Sequence, residues 1–319
     1  MAVYTEVSAE EIESFVAEYG LGEVLSFKGI AEGVENSNYL LQTDQGSYIL
    51  TLYEKRVEEA DLPFFLGLME HLAARGIDCP VPLHARDGKA LRQLCGRPAA
   101  LVSFLEGLWP RRIQTFHCAA LGGAMARMHL AGADFELRRE NALSVAGWRP
   151  LLESCRARAD EVKPGLAEAL EAELAHLEAN WPRDLPAGVI HADLFPDNVF
   201  FRGEKLTGLI DFYFACNDAM AYDLAVTHAA WSFSGDGHGY RAEVGQALVE
   251  GYESVRALSP EEREALPLLA QGAALRFISS RAQDWIDTPA DALVTKKDPM
   301  DFVRRLEFYR TNGTEVFAA

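Results

Sequence analysis

Basic residues are scarce in this chain. Against 48 Asp and Glu there are only 30 Lys and Arg, so the formal net charge is −18 at pH 7 over 319 residues. Proteins that bind nucleic acid or an anionic membrane neutralise phosphates with a basic surface, so neither partner is expected here. The excess of acid fits simple solubility or attraction of cationic ligands, and composition alone does not decide between these.

Long apolar runs are also missing. The uninterrupted apolar stretches are much shorter than the roughly 20 residues that cross a bilayer, so no membrane-spanning helix is predicted. The N-terminal sequence MAVYTE has no basic region followed by an apolar stretch, which is the pattern of a secretory signal. We therefore expect a cytoplasmic protein.

Cysteine is rare and scattered. The five cysteines are odd in number, and no two of them stand at the spacing of a metal-binding pair. A disulfide framework is therefore not expected, and the thiols should be reduced, as is usual in the cytoplasm. The cysteines are Cys79, Cys95, Cys118, Cys155 and Cys216.

The chain does contain enough apolar material for a large core. Hydrophobic residues make up 49% and charged residues 24%, which excludes a disordered or fibrous protein. A length of 319 residues corresponds to about two domains.

The first third of the chain has the pattern of an antiparallel sheet. Ser8 and Glu11 form a capping-box pattern that opens a short leading helix. β-type runs follow, with Asp44-Gln45-Gly46 as a tight turn between two of them. A second helix opens at Asp61-Leu62-Pro63 and ends at Arg75-Gly76. The predicted strands are 24–28, 37–43, 47–52, 89–94 and 98–105.

The remaining two thirds are mainly helical. The predicted helices are 114–130, 148–180, 219–231 and 260–285. A strand-rich part followed by a helix-rich part predicts an α+β fold of two lobes. We place the boundary near Glu106-Gly107. Residues 1–106 then form an N-terminal lobe with a small antiparallel sheet, and residues 107–319 form a large, mainly helical C-terminal lobe.

The segment with the clearest chemistry follows an apolar strand. His191 comes directly after Val189-Ile190, Asp193 stands two positions later, and Asn198 lies just before another apolar strand. That strand and the next form a predicted hairpin, and Asp211 stands at its end. The pattern predicts a hairpin whose polar groups gather at one end.

These residue types fit phosphoryl transfer. In that reaction a carboxylate orients the attacking hydroxyl and accepts its proton, while an amide oxygen and a second carboxylate hold Mg²⁺ against the triphosphate. Asp193, Asn198 and Asp211 supply such a set. The pattern His-x-Asp-x-x-x-x-Asn, followed by an apolar strand ending in Asp-Phe, also matches the catalytic loop and metal-binding strand end of kinases.

Some polar residues have simpler explanations. His-x-Asp close to a proline also occurs in turns in which Asp and Asn cap their own backbone, although a turn alone does not account for the joint pattern. Asp197 is interpreted as a turn residue. His129 and His228 are interpreted as histidines packed in helices, without a metal.

The chain resembles a known group of enzymes. His191-Ala-Asp-Leu-Phe-Pro-Asp-Asn198 followed by Ile210-Asp-Phe212 resembles the Brenner motif of the aminoglycoside phosphotransferase and choline kinase superfamily, small-molecule relatives of protein kinases. Three further segments, 29–39, 48–54 and 208–216, resemble the kinase-like homoserine kinases within that superfamily. The resemblance covers nearly the whole chain and implies a bilobed, protein-kinase-like fold.

The resemblance also implies roles for individual residues. By this resemblance, Asp193 and His191 are expected to be catalytic residues, and Asn198 and Asp211 are expected to be Mg²⁺ ligands. The turn between the first strands covers the ATP phosphates, since small residues and exposed backbone N–H groups let it approach phosphate oxygens. The hinge between the lobes pairs its backbone with adenine. The implied nucleotide-binding residues are Gly29, Gly33, Asn36, Ser37 and Asn38 in the turn and Ser103 and Leu105 in the hinge.

One position departs from the kinase pattern. Kinases place a lysine on the third strand to hold the α- and β-phosphates, whereas this sequence has Thr51 there. A neutral hydroxyl does not replace a cation beside a triphosphate, so either the charge comes from elsewhere or the enzyme depends more on Mg²⁺. The local candidates for that charge are Lys28, Lys55 and Arg56. Glu70 is a conceivable ion-pair partner, but we do not assign it that role.

The expected reaction is ATP-dependent phosphorylation of the side-chain hydroxyl of L-homoserine to O-phospho-L-homoserine. Homoserine is a zwitterion, so its pocket needs an acid for the ammonium group and an arginine for the carboxylate. Arg281 also has a simpler explanation, because an ion pair with Asp284, three residues on in a helix, is the commoner arrangement. The candidate substrate-binding residues are Asp218, Tyr222, Asp223, Arg276 and Arg281, with Trp231 near them.

Two alternatives remain open. A kinase for another small alcohol, such as an aminoglycoside, choline, hydroxylysine or a sugar, would share the same motifs. A non-catalytic nucleotide sensor of the same fold is suggested by Thr51 in the lysine position. The sequence does not indicate the oligomeric state.

Overall fold

The described residues fall into two units. The computed structural model describes residues 5–30, 36–54, 57–287 and 296–318. One unit comprises Met1–Gly107 together with Thr207–Tyr213, and the other comprises Leu108–Leu206 and Phe214–Ala319. A short segment from the second half of the chain therefore belongs to the first unit.

The first unit is built on a five-stranded antiparallel sheet. Its strands are β1 (Val24–Gly29), β2 (Ser37–Thr43), β3 (Gly46–Leu52), β4 (Arg92–Leu94) and β5 (Arg97–Ser103). They pair in the order β1-β2-β3-β5-β4, each antiparallel to its neighbour. Side chains along β2 alternate between more and less buried positions, the period of two expected for a sheet with one covered face. The meander predicted for 24–52 is present.

Two helices accompany this sheet. α1 (Ala9–Tyr19) begins after Ser8, whose Oγ accepts from Glu11 N at 3.3 Å, while Ser8 N donates to the Glu11 carboxylate at 2.9 Å. The predicted capping box is therefore present. α2 (Leu62–Ala74) has Pro63 in its first turn, where a missing N–H costs no hydrogen bond. The core contains buried residues of α1 and the sheet, among them Ile12, Phe15, Val16, Leu41, Leu50 and Leu101.

The segment Thr207–Tyr213 packs within the first unit. Leu209 N donates to Asp78 O at 2.9 Å. The hydroxyls of Tyr213 and Tyr53 lie 3.3 Å apart. These contacts fix the segment that carries the predicted metal-binding aspartate.

The second unit is mainly helical. Its helices are α3 (Thr115–Ala131), α4 (Val145–Arg156), α5 (Ala159–Val162), α6 (Leu166–Asn180), α7 (Met220–Trp231), α8 (Ala242–Glu253), α9 (Pro260–Asp287) and α10 (Met300–Val316). Every residue of α9 from 269 to 279 is buried, which makes it the central helix of the unit. Among the helices of the described residues, none is both long and apolar enough to cross a bilayer.

One predicted helix is interrupted in the structure. The prediction of a single helix over 148–180 is wrong, because the chain there forms α4, the one-turn α5 and α6. Pro164 follows α5 and cannot extend it, since it lacks the N–H of a helical turn. Gly165 then adopts a φ of +81°, which is outside the helical region.

Helices α3 and α8 approach each other closely at two glycines. A Cβ on Gly122 would lie 2.1 Å from Leu248 O, and a Cβ on Gly251 would lie 2.2 Å from Ala119 O. Any larger residue would push the helices apart. This distance matters because α3 and α8 each carry a side chain of the site described below.

Four short strands lie in the second half of the chain. They are β6 (Ala187–Ile190), β7 (Val199–Arg202), β8 (Lys205–Leu209) and β9 (Cys216–Ala219). β7 and β8 form a two-stranded sheet, as predicted for the hairpin. β6 pairs antiparallel with β9, a strand that the sequence did not predict, with Ile190 opposite Cys216. The fold class is α+β, as predicted.

Candidate active site

Two backbone N–H groups after β6 are held by one buried carboxylate. The N–H groups of His191 and Ala192 donate to Asp223 on α7, at 2.9 and 2.8 Å. Each N–H meets a different oxygen of that carboxylate, and Asp223 is 0% exposed. The carboxylate therefore fixes the direction in which the chain leaves the strand.

Ala192 adopts a left-handed backbone conformation with φ of +62°. A residue other than glycine persists there only where its surroundings hold it. The Ala192 carbonyl accepts from Arg276 Nη1 at 2.6 Å, and Leu194 O accepts from Trp231 Nε1 at 2.7 Å. Side chains of α7 and α9 thus set the backbone around Asp193.

Asp193 and Asn198 are brought together by hydrogen bonds. Asn198 Nδ2 donates to Asp193 O at 2.8 Å and to the Asp193 carboxylate at 3.2 Å. Phe195 N also donates to Asp193 O, at 2.8 Å, and a 3-10 turn at Pro196–Asn198 follows. The predicted catalytic carboxylate and the predicted metal-binding amide therefore form one arrangement.

The amide of Asn198 fits a Mg²⁺ ligand. Because its Nδ2 is directed at Asp193, Oδ1 is the atom left to accept, and that oxygen receives no hydrogen bond among the described residues. Mg²⁺ prefers amide and carboxylate oxygens. The other predicted ligand, Asp211, belongs to the first unit, where it has a φ of +66° directly before a 3-10 helix at Phe212–Phe214.

The half-buried Asp193 and the fully buried Asp223 differ in their electrostatics. Burial raises the pKa of Asp193 above its usual value of 3.8, and the charges of Arg276, His191 and Lys297 oppose that effect. Burial would also raise the pKa of Asp223, but the hydrogen bonds from His129 and the His191 backbone outweigh it and keep that pKa below its usual value. Asp223 is therefore ionised and suited to hold N–H donors.

Asp223 is itself supported by a buried chain of hydrogen bonds. His129 Nε2 lies 2.9 Å from Asp223 Oδ2, and His129 Nδ1 lies 2.8 Å from the Tyr252 hydroxyl. Arg256 Nη1 donates to the same hydroxyl at 3.2 Å, and Arg256 Nη2 donates to Glu262 at 2.8 Å. This series of hydrogen bonds links α7 to α3, α8 and α9. No sequence pattern pointed to it, because the partners lie far apart along the polypeptide.

Asp223 and Trp231 therefore act on the protein backbone. The prediction that Asp223 contacts substrate is not supported, because both carboxylate oxygens are occupied by N–H donors of the protein and the residue is fully buried. Trp231 is also fully buried, with its indole N–H bound to Leu194. Trp231 therefore supports the loop that follows β6, whereas the sequence had placed it near the substrate-binding site.

Two further substrate candidates lie in β9 and α7. Asp218 accepts from Asn141 Nδ2 at 2.7 Å and from Ala219 N at 2.7 Å. Tyr222 is fully buried, with its ring 5.8 Å from that of Trp181, and burial raises the pKa of its hydroxyl. The half-buried Asp218 is thus nearer to solvent than Tyr222.

The two predicted arginines both lie on α9. Arg276 is 2% exposed, and its guanidinium stacks 4.6 Å from the centroid of Phe277 while it bonds to Ala192. Arg281 pairs with Asp301 of α10 at 3.3 Å, and not with Asp284 on its own helix. The helix-face ion pair considered as the alternative for Arg281 is therefore absent among the described residues.

In the first unit the polar side chains of the predicted phosphate turn are bonded within the unit. Ser37 Oγ donates to Glu54 at 2.7 Å, Asn36 Oδ1 accepts from Glu54 N at 3.3 Å, and Asn38 Oδ1 accepts from Thr51 at 2.8 Å. Gly29 ends β1, and the chain returns with Ile30 N donating to Asn38 O at 2.8 Å. Gly33 lies outside the described residues. The side chains thus shape the turn, which leaves its backbone as the part suited to phosphate.

The usual lysine position is occupied by Thr51, a neutral residue. The Thr51 hydroxyl is committed to Asn38. Of the three candidate cations, Lys28 is exposed on β1, and Lys55 and Arg56 lie outside the described residues. Glu70 binds His84 Nε2 at 2.6 Å, which gives it a different partner from the kinase ion pair.

The predicted hinge residues end the sheet of the first unit. Ser103 closes β5, and its backbone N and its Oγ bond to Val81, each at 2.9 Å. Leu105 packs on Gly208, where a Cβ would lie 2.7 Å from Leu105 Cδ1. Glycine at this position therefore allows the close approach of Leu105.

The sequence is similar to those of known phosphotransferases. The sequence profile of the phosphotransferase enzyme family matches residues 26–258. Over 316 residues the chain is 63% identical to a homoserine kinase from Paramagnetospirillum magneticum, with 97% of each chain covered.

Solved structures with a similar fold are small-molecule phosphotransferases. A spectinomycin phosphotransferase, solved with ADP and spectinomycin, is 15% identical with a TM-score of 0.69, and the match covers 99% of each chain. An amicoumacin kinase, solved with AMP-PNP and Ca²⁺, is 16% identical with a TM-score of 0.67, over 97% of this chain and 94% of the other. At this level of identity the likeness concerns the fold, and it confirms the predicted kinase-like architecture.

Proposed function

The chain belongs to the phosphotransferase enzyme family and, within it, to the homoserine kinases, and on that basis we propose that it phosphorylates L-homoserine. The γ-phosphoryl group of ATP is transferred to the side-chain hydroxyl, which gives O-phospho-L-homoserine and ADP. This is a step of threonine biosynthesis. The observation that carries the choice of substrate is the near full-length identity of 63% to the Paramagnetospirillum enzyme.

Asp193 is the proposed catalytic carboxylate. It accepts or orients the proton of the attacking hydroxyl, while the hydrogen bond of 3.2 Å from Asn198 Nδ2 holds its carboxylate in place. Its fixed backbone supports this role, because a small displacement of a catalytic group lowers the rate strongly. His191 is the proposed second catalytic residue, positioned next to Asp193 by its N–H bond to Asp223.

Asn198 and Asp211 are the proposed Mg²⁺ ligands. Their amide and carboxylate oxygens suit a hard divalent cation. When bound, Mg²⁺ supplies the positive charge that offsets the charge developing on the transferred phosphoryl group. The overall charge of −18 makes such local neutralisation necessary for a triphosphate.

The first unit is the proposed nucleotide-binding lobe, and the second the proposed catalytic and substrate-binding lobe. In the first, the backbone of the turn from Gly29 to Asn38 covers the phosphates, with Gly33 allowing close approach. The backbone from Ser103 to Leu105 pairs with adenine. Asp218, Tyr222, Arg276 and Arg281 remain proposed substrate-binding residues.

We place the reaction in the cytoplasm. All five cysteines are free in the structure, and four of them are buried. Unpaired thiols suit a reducing compartment.

The function is tested by ADP release from purified protein with Mg-ATP and a panel of alcohols. We expect release with L-homoserine and little with choline, hydroxylysine or an aminoglycoside. Release with one of the other alcohols but not with homoserine would contradict the proposed substrate. Nucleotide binding without release for any alcohol would instead support a sensor, in agreement with the hydroxyl of Thr51 in the lysine position.

A further inference from the structure

Two arginines, the half-buried Arg281 and the buried Arg305, share one aromatic ring in the second unit. Arg281 on α9 places its guanidinium carbon 4.5 Å from the ring centroid of Phe302. Arg305 on α10 lies 4.3 Å from the same centroid. Neither arginine can leave this region without giving up its stacking contact, so the two positive charges are held near each other.

The charges of this cluster are only partly paired by carboxylates of the described residues. Arg281 pairs with Asp301 at 3.3 Å, and Arg304 shares the same carboxylate at 3.5 Å. Among the residues that the structure describes, Arg305 makes a single hydrogen bond, from Nη2 to Ser234 O at 3.4 Å, and its Nε has no partner. Within the part of the chain that the structure describes, no carboxylate pairs with Arg305. Among the described residues, Asp301 is therefore the one carboxylate that pairs with any of these three arginines, and it pairs with only two of them.

Burying Arg305 without a carboxylate partner is unfavourable for the folded protein. The residue is only 4% exposed, and a buried charge without a partner lowers the stability of the fold. Burial and the charge of Arg281 together lower the pKa of Arg305 to about 10, against the fields of Tyr309, Asp301 and Asp236. A group kept at such a cost points to an anionic ligand that completes the cluster.

The cluster lies beside the catalytic segment. Phe195, two residues after Asp193, packs its ring 6.1 Å from that of Phe302. The negative charge of Asp193 acts on Arg281 and opposes the lowering of its pKa by burial. A ligand held by the arginines would therefore lie next to the proposed catalytic carboxylate.

We infer that Arg281 and Arg305 bind the α-carboxylate of the amino-acid substrate. This inference rests on the proposed function, in which the acceptor is an amino acid with a hydroxyl at the end of a short side chain. Guanidinium groups present planar pairs of N–H donors that match a carboxylate. Arg276 is less suited to this role, because its Nη1 is committed to the carbonyl of Ala192. The sequence pointed to Arg281, but the role of Arg305 emerges only from its burial without a partner.

The test compares two acceptors that differ only in the carboxylate. L-homoserine carries it, and 3-aminopropan-1-ol is the same amino alcohol without it. For Arg305→Met we expect kcat/KM for homoserine to fall about 100-fold, as expected for loss of a charge-assisted bidentate contact. The rate with 3-aminopropan-1-ol and the KM for ATP should stay within about 3-fold of wild type, since neither involves the carboxylate. Arg305→Lys, which keeps the charge but not the fork, should recover part of the activity with homoserine.

Stability distinguishes a ligand site from a structural role. Replacing a buried unpaired charge by an apolar side chain of similar length should leave the Tm of Arg305→Met unchanged or higher. The matched control is Arg158→Met, which removes an exposed arginine that pairs with Glu161 at 2.8 Å. This variant should leave the rate with either acceptor unchanged. Equal losses with both acceptors, or a lower Tm with no change in acceptor preference, would overturn the carboxylate site.

A binding measurement keeps this inference separate from the proposed function. L-2-aminobutyrate has the carboxylate and ammonium of homoserine but no hydroxyl, so it binds without being phosphorylated. We expect it to raise the Tm of the wild-type protein and to leave the Tm of Arg305→Met unchanged. If the wild type phosphorylates homoserine but this difference is missing, the site is wrong and the function stands. If the difference is present but homoserine is not phosphorylated, the function is wrong and the site stands.

Discussion

In the first unit a buried carboxylate, Glu54, holds the segment proposed to bind phosphate, and in the second unit Asp223 holds the proposed catalytic segment. Glu54 accepts from the hydroxyls of Thr5 and Ser37, each at 2.7 Å, and pairs with Arg97 at 3.3 Å. Asp223 accepts instead from two backbone N–H groups and from His129. Glu54 thus holds its segment through side chains, and Asp223 holds its segment mainly through the main chain.

This difference determines what each segment can use for chemistry. Because Asp223 binds the backbone, the side chains of Asp193 and Asn198 stay available for substrate and metal. In the phosphate turn the side chain of Ser37 is already used to hold the turn, so its backbone is left to bind ligand. The side-chain partners of the two carboxylates also differ in exposure, since Arg97 is 34% exposed and His129 is fully buried. The arrangement around Asp223 should therefore tolerate substitution less well than the arrangement around Glu54.

The largest effect in this comparison is expected for Asp223→Asn. The amide leaves one of the two backbone N–H groups facing another donor, which should cost about 3–5 kcal/mol of stability. The Tm should fall by about 10 °C for a unit of this size. The displaced loop should lower kcat with homoserine about 100-fold, because catalysis depends on the placement of Asp193. Steady-state kinetics and a thermal melt measure both effects.

A surface aspartate provides the control for Asp223→Asn. Asp160 also accepts a backbone N–H, from Ala167 at 2.9 Å, but it is exposed. Asp160→Asn should leave kcat within about 2-fold of wild type, since water compensates for the lost charge. If Asp223→Asn resembled this control, the buried carboxylate would not be what holds the catalytic segment.

A smaller effect is expected for Glu54→Gln. Thr5 and Ser37 both donate to Oε1, and the amide oxygen can still accept from both, so the loss is confined to the charge-assisted contact of Oε2 with Arg97. We expect a stability loss of about 1–2 kcal/mol, the range for a single hydrogen bond to a charged group. The KM for ATP should rise by about 5-fold with kcat nearly unchanged, because the phosphate turn is loosened and the catalytic segment is not. A fall in kcat as large as that of Asp223→Asn would remove the distinction between the two carboxylates.

The local features of the fold could be predicted from the sequence. The capping box at Ser8, strand 37–43 and the order of strand, loop and strand around Asp193 all follow from patterns of neighbouring residues. The break at Pro164-Gly165 was also visible in the sequence, but the helical character of 148–180 outweighed it in the prediction.

The supporting parts of the site could not be predicted, because they depend on residues distant in the chain. Asp223 contacts its loop partners 31 and 32 positions away, and His129 lies 94 positions from it. Nothing in the Ala-rich sequence of α7 separates an aspartate that anchors a backbone from one that binds substrate. Arg305 is identified only by what it lacks, a carboxylate partner among the described residues, and an unmet contact leaves no sequence pattern.

The central claim, phosphoryl transfer to homoserine through Asp193, is tested most directly by following the product in ³¹P NMR with wild type and Asp193→Ala. The wild type should form one O-phospho-L-homoserine for each ADP released. Asp193→Ala should lower this rate by about 1,000-fold, the contribution expected of a catalytic base, while its affinity for Mg-ATP stays within about 3-fold. Near-normal product formation by Asp193→Ala would contradict the account, as would release of ADP by the wild type without phosphohomoserine.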